Sequence, residues 1–260
     1  MVEKFYLIFS MIAPKILLKG NFLPGDIVIE WNEESNRGIH LPIENQIETE
    51  WQKIVTHAKE KGFHIYNGRN CRLNDFRCVD GKLFLEMAPI EFRTRESLVR
   101  IPGYFSLSDV FFRKGIFCSA NVETNDGKYV FVELTGKSLN LDRYEMLGGV
   151  LETEDFVDTQ SIDIFECLYK EMLEEAGILK DHIETTFLKS MFLDRMTNIG
   201  FYFEAKLLIS SQELQTIFES NVNDPDIENL FFVSKNDLKK QLLDMNENKQ
   251  LIAHMISEGS

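Results

Sequence analysis

Three glutamates and a lysine crowd the stretch "KEMLEEAGI", Lys170 to Ile178. On a helix spanning 161–177, Glu171, Glu174 and Glu175 fall at i, i+3 and i+4 and share one face. Like charges at that spacing cost roughly 0.2–0.5 kcal/mol per pair. They also gather at the helix C-terminal end, where the macrodipole disfavours anions. A purely structural helix gains nothing from this. A hard divalent cation would offset it, because Mg²⁺ takes oxygen ligands and is shared between carboxylates and substrate phosphates. The competing reading is a solvated acidic face.

The upstream stretch "LGGVLE", Leu147 to Glu152, shifts the balance. It puts Gly148-Gly149 and a further Glu on the turn leading toward the same helix. Glycine lets a backbone approach a ligand or ion closely.

Together the two stretches resemble the Nudix hydrolase family. Its signature is Gly, five residues, Glu, seven residues, then Arg-Glu-U-x-Glu-Glu-x-Gly-U, with U a bulky aliphatic. "KEMLEEAGI" matches the second half at every specified position except the first, where Lys170 replaces Arg. "GGVLE" looks like the family's Gly-Gly-x-x-Glu opening. The spacing from Gly149 to Lys170 is seven residues longer than the pattern, so the family's first Glu falls on Ile162. Asp158 or Asp163 could take that role. Arg offers carboxylates a rigid fork, whereas Lys offers a point charge.

The resemblance implies a fold and a chemistry. The fold is α/β (α+β), an α/β/α sandwich with a mixed sheet. The activity is hydrolysis of a nucleoside diphosphate linked to another group, using Mg²⁺ or Mn²⁺. Glu171, Glu174, Glu175, the Gly149 carbonyl and Glu152 would bind the ions. Glu174, Glu175, Lys170 and Glu204 are the catalytic candidates. Lys170 would hold a neighbouring carboxylate, and Glu204, on a strand that could face the helix, is a candidate base beside Glu228. "EWQKI" and "IYNGRNCRLNDF" faintly echo the leading domain of two-domain members such as the UDP-sugar diphosphatase-like group, which points to a nucleotide sugar. The alternative is a weak or inactive domain that binds a nucleotide and regulates. Prenyl diphosphate isomerisation is a third reading, disfavoured by the insertion and by the lack of an obvious Cys near the turn.

The elements that must position these residues follow from periodicity and turn signals. "KFYLIFSMI" and "DIVIEWN" read as strands, and "IENQIETEWQKIVTHAKEKG" as a helix stopped by Gly62. Asp80-Gly81 and Asp126-Gly127 mark hairpins. "SIDIFECLYKEMLEEAG" is a helix capped by Ser161 or Asp163, stopped by Gly177, with Ile164, Phe165, Leu168, Met172 and Leu173 inward. Strands are predicted at "TTFLKSMFL" and "NIGFYFEAKLLI", a helix at "SQELQTIFES", and a strand entering a helix at "NLFFVSKNDLKKQLLDM" with Ser234 or Asn236 as cap. A last helix covers "ENKQLIAHMISE". Pro102-Gly103 reads as the seam between an α+β domain, 1–102, and the domain with the glutamates, 103–260, each with its own core. Residues 153 to 161 are expected to form a surface loop beside the metal site.

Composition narrows the rest. The chain has 260 residues, 44% of them hydrophobic, and a formal net charge of -14. Such acidity repels nucleic-acid backbones but tolerates a phosphorylated small molecule bridged by metal. Cys71, Cys78, Cys118 and Cys167 form no CxxC pair and read as separate buried thiols, hence a cytoplasmic setting. No run approaches the ~20 apolar residues of a membrane helix. His40, His57, His64, His182 and His254 show no mutual spacing that suggests a site. Trp31 and Trp51 read as core, and Phe111, Phe112 or Tyr144 as candidate walls of a base pocket. A homodimer is left open.

Overall fold

The computed structural model describes residues 12–33, 43–61, 65–104, 114–135, 143–153, 163–221, 225–245 and 247–258. The expected strand "KFYLIFSMI", the expected loop 153–161, Phe111, Phe112, Asp158, Ile162, His40 and His64 lie wholly or almost wholly outside them. The strands are β1 (Lys15–Phe22), β2 (Ile27–Trp31), β3 (Arg69–Val79), β4 (Lys82–Glu91), β5 (Ile116–Glu123), β6 (Lys128–Leu134), β7 (Tyr144–Glu145), β8 (Ile183–Leu193), β9 (Ile199–Leu207) and β10 (Ile227–Ser234). The helices are α1 (Glu44–Lys61), α2 (Phe92–Leu98), α3 (Ile164–Ala176), α4 (Ser211–Asn221), α5 (Lys235–Leu243) and α6 (Glu247–Glu258).

Local chemistry explains the short-range parts. Asp80 and Gly81 both take positive φ, 48° and 78°, the conformation a two-residue hairpin turn needs between β3 and β4. Asp163 caps α3 by accepting a hydrogen bond from the Phe165 N–H at 2.8 Å. Gly177 ends the helix at φ 72°, with its N–H donating to the Leu173 carbonyl. Ser234 caps α5.

The large sheet has seven strands in the order β1-β8-β9-β5-β6-β10, with β7 beside β6. It is mixed: β5 and β9 run parallel, while the other neighbours are antiparallel. Alternation along β9 divides its residues between two layers. Ile199, Phe201, Phe203, Ala205 and Leu207 join a core shared with α3 and α4. Phe165 of α3 meets Phe203 edge-on at 5.1 Å, and burying such a ring contributes roughly 1.5–3 kcal/mol. Tyr202 belongs to the other face, packed with Phe131, Phe192, Leu238, Leu242, Ile252 and Ala253 from the strands, α5 and α6. The α/β/α layering expected for this chain is thus present.

The expectation of two separate cores is corrected. β1, from the first hundred residues, is the edge strand of the large sheet, paired with β8 from Lys15–Leu193 to Phe22–Leu188. The second sheet, β2-β4-β3, has three strands. Its Cys71, Leu73, Leu83, Leu85 and Met87 lie in the same core as Ile116 and Phe203. β3 also bonds directly to the later half, Cys71 N–H to the Leu151 carbonyl at 2.8 Å and Leu73 N–H to the Lys114 carbonyl at 3.0 Å. Backbone groups buried at that junction must pair, and they pair across it.

Two smaller expectations also change. Leu173 is 46% exposed rather than inward. Cys78 is exposed, while Cys71, Cys118 and Cys167 are buried free thiols.

Candidate active site

The segment Leu147 to Leu151 runs beside β5 and carries the two glycines. Ala120 N–H donates to the Leu147 carbonyl at 2.8 Å, Cys118 N–H to the Gly149 carbonyl at 2.8 Å, and Leu151 N–H to the Ile116 carbonyl at 3.0 Å. At Gly148 φ is 144°, and a Cβ there would lie 2.2 Å from the Cys118 carbonyl oxygen. Only glycine passes β5 this closely.

On its other side the turn meets α3. A Cβ on Gly149 would lie 2.4 Å from both Cδ and Oε1 of Glu171 and 2.6 Å from Oε2. The missing side chain is the space the Glu171 carboxylate fills. One helical turn on, Glu175 Oε2 accepts the Gly148 N–H at 2.9 Å. That charge-assisted bond offsets part of the cost of placing a carboxylate at a helix C-terminus. The two halves of the motif, more than twenty residues apart in sequence, are therefore in contact. Glu171 and Glu175 are half-buried, and Glu174 is exposed.

The other candidates sort differently. Lys170 is exposed and lines a shallow groove on the outer side of α3 with Tyr169, Leu173 and Leu179. The Gly149 carbonyl already accepts one hydrogen bond, and a carbonyl oxygen has two lone pairs. Glu152 is half-buried and bridges Asn70 of β3 through its backbone. Asp163 is the α3 cap.

Glu204 does not face α3, which corrects its reading as a base opposite the glutamates. It alternates with Phe203 and Ala205, so it shares the face of Tyr202. There Lys189 Nζ stands 3.3 Å from its carboxylate, and the Tyr202 hydroxyl lies 3.5 Å away. Burial first, then the Glu204 charge, pushes the Tyr202 phenol well up. Burial and the nearby Glu123 push Tyr129 up to about 12. Both phenols stay protonated, and Glu204 belongs to a polar group with Tyr202 and Lys189 on that face.

Tyr144 stacks on Phe231 at 4.8 Å instead of standing open as a pocket wall. Glu228 is exposed at the start of β10. Trp51 is buried against Phe92, and Trp31 is half-buried with its indole N–H on Glu33. His57 and His254 are exposed, and His182 Nδ1 accepts the Leu179 N–H. Cys118 does lie at the Gly148 turn, but its thiol is buried and directed to the Ile164 carbonyl at 3.7 Å. Nothing in the sequence singles out Glu145 and Lys249, which form an ion pair three residues before the glycine turn. Their separation along the chain carries no signal.

The donors around the turn are carboxylate and carbonyl oxygens, the set that hard divalent ions take. The space at Gly149 admits one such carboxylate to the turn. Among the described residues, no three His, Cys, Asp or Glu side chains are gathered as an ion-holding group. No described helix is long and apolar enough to cross a membrane.

No protein-family model matches the chain, and no curated protein matches it. Among solved structures it is similar to the DR0079 protein from Deinococcus radiodurans, at 10% identity over 55% of this chain and 83% of that one, TM-score 0.39. It is similar to a Nudix hydrolase from Nitrosomonas europaea, at 17% identity over 49% and 77%, TM-score 0.32. It is also similar to a MutT protein from Methanosarcina mazei Go1, at 14% identity over 55% and 94%, TM-score 0.33. These likenesses are remote, with each score below 0.5, and the functional reading stands on the residues of the site.

Proposed function

We propose that the chain is a divalent-metal-dependent pyrophosphohydrolase of the Nudix kind. Its substrate is a nucleoside diphosphate linked to another group, a nucleotide sugar among the candidates, and its setting is the cytoplasm. One observation carries this reading: the Gly148-Gly149 turn is shaped around Glu171 and hydrogen-bonded to Glu175. A solvated acidic face needs no such turn.

Glu171, Glu174 and Glu175 would hold Mg²⁺ or Mn²⁺, with the second lone pair of the Gly149 carbonyl and Glu152 as further oxygen donors. When bound there, the ion would supply charge neutralisation at the pyrophosphate and activation of the water that attacks phosphorus. The protein's part is positional. Gly148 N–H fixes the Glu175 carboxylate, the bare Gly149 Cα seats that of Glu171, and α3 keeps them one turn apart. Glu174, next to Glu175 on α3, is exposed and open to an arriving ion. The proposed ligands all lie in 103–260, and β3 supports them through the Leu151 and Glu152 contacts.

Lys170 in place of the family's Arg, and Ile162 in place of its first Glu, favour the second reading, a domain that binds a nucleotide without cleaving it. A panel of nucleoside diphosphate derivatives, assayed with Mg²⁺ for released phosphate, separates the two. Wild type is expected to hydrolyse at least one member. Glu174→Gln and Glu175→Gln are expected to lose several orders of magnitude in rate while keeping their metal-free melting temperature, since Gln preserves shape and helix propensity. Variants as fast as wild type would reduce the glutamates to a solvated face. Binding without turnover by wild type would establish the second reading.

A further inference from the structure

Lys249, near the start of α6, is 6% exposed, a rare degree of burial for a lysine. Its ammonium is ion-paired with Glu145, whose side chain is 17% exposed. α6 is itself fixed by Ile252 and Ala253, which pack with Met146, Phe131 and Phe192.

Glu145 belongs to β7, which has only two residues. So short a strand has little intrinsic stability, yet it is held from several sides. Val132 and Glu133 pair with its backbone. Phe231 stacks on Tyr144, and the Arg143 guanidinium lies 5.2 Å from that ring. Lys249 holds Glu145, whose Oε1 also lies 3.1 Å from the Met146 N–H. Three residues downstream of Glu145 comes Gly148, and the intervening chain is extended beside β5. A shift at Glu145 therefore reaches the glycine turn over about 10 Å of stretched backbone.

Buried ion pairs add little net stability, because desolvation offsets the attraction, and apolar replacements are often as stable. What such a pair supplies is a defined geometry. We infer that Lys249 is a positioning residue for the glycine turn. Through Glu145 it sets the strand that presents Gly148 to Glu175 and Gly149 to Glu171. This rests on the hydrolase reading of the turn. Removing the ammonium alone leaves the half-buried Glu145 carboxylate without that counter-charge. The carboxylate then draws toward water and pulls β7 and the turn with it. Removing both charges takes away the pull.

The test uses the full chain and four forms: Lys249→Met, Lys249→Arg, Glu145→Met and the Lys249→Met/Glu145→Met double variant. Two readouts are taken. One is kcat and KM with Mg²⁺ on the panel member that wild type cleaves best. The other is amide hydrogen exchange over residues 143–151, which needs no substrate. Lys249→Met is expected to lower kcat about 10- to 100-fold, the scale of an ångström-sized misplacement. KM should change far less, and exchange at Gly148 should quicken. Lys249→Arg and the double variant should return both readouts most of the way to wild type. A wild-type kcat per folded molecule in Lys249→Met would overturn the proposal. So would faster exchange confined to α6, or a double variant no better than the single. If wild type cleaves nothing on the panel, the hydrolase reading falls by itself. The exchange pattern then decides the coupling: loosening at Gly148 that the double variant reverses supports it, and an unchanged pattern rejects it.

Discussion

Gly149→Ala places a methyl group where the Glu171 carboxylate now lies. The added Cβ would be 2.4 Å from Cδ, whereas ordinary contact begins at 3.4 Å. The carboxylate must therefore retreat by about 1 Å, which the end of a flexible side chain can do cheaply. Gly149 is not among the residues with positive φ. Alanine there is unstrained and recovers roughly 0.4–1 kcal/mol through the unfolded state. Melting temperature should stay within a few degrees of wild type, while kcat falls about 100-fold, the usual consequence of a displacement of that size at a reacting centre. Gly148→Ala should behave in the opposite sense. Its Cβ would strike backbone, 2.2 Å from the Cys118 oxygen and 2.9 Å from the Ser119 Cα, at φ 144°. Neither atom can yield. Overpacking and strain at roughly 1–3 kcal/mol each should lower the melting temperature by about 5–20 °C. Thermal melts with and without Mg²⁺, beside the phosphate-release assay, measure both effects. Adding Glu171→Asp to Gly149→Ala withdraws the carboxylate by one methylene and should recover part of the rate. If Gly149→Ala hydrolyses like wild type, the seating of Glu171 by the bare glycine has no catalytic meaning and the argument fails.

Other consequences are simpler to check. Glu204→Gln should leave kcat within a few-fold of wild type, because the residue lies on the sheet face away from α3; a collapse of activity would restore it as a base. Burial opposes ionisation of Asp126, but hydrogen bonds from Thr124 and Ser211 outweigh it and hold the carboxyl well below the usual carboxylate range. The stability it contributes is present above about pH 4 and is lost as pH falls toward the lowered folded value. Asp126→Asn should therefore lower the melting temperature most near neutrality, and a deficit that grows with acid would contradict this. Phe22→Ala should cost about 3–5 kcal/mol within a single calorimetric transition, since Phe22 belongs to the main core; two separate transitions would revive the picture of independent halves.

Where the chain's own local chemistry decides a structure, that structure was readable in advance. Asp-Gly pairs turn both hairpins, and Asp163 and Gly177 bound α3 as their types require. The pairing of Gly149 with Glu171 was legible only through the motif, because nothing between them encodes the approach. β1 is not legible in the sequence because "KILLKGNF" carries two lysines and a glycine and lacks clean alternation. Its role comes from a partner strand far along the chain. Glu204 was misplaced for a related reason: alternation shows that it opposes Phe203, but not which face of β9 receives α3. Leu173 fits the helical stripe, yet α3 is covered over a narrower arc than its apolar residues span.

The pairing of β1 with β8 has a consequence for synthesis. Lys15 is made well before its partner Leu193. At about 5–20 residues per second, β1 waits roughly 9–36 seconds on the ribosome before β8 emerges. Throughout that interval its backbone donors and acceptors are available to any other strand nearby. The lysines in "KILLKGNF" that obscure it as a strand are the kind of residue that discourages such pairing. The interval in which β1 lacks its partner is therefore set by the translation rate of everything between β1 and β8.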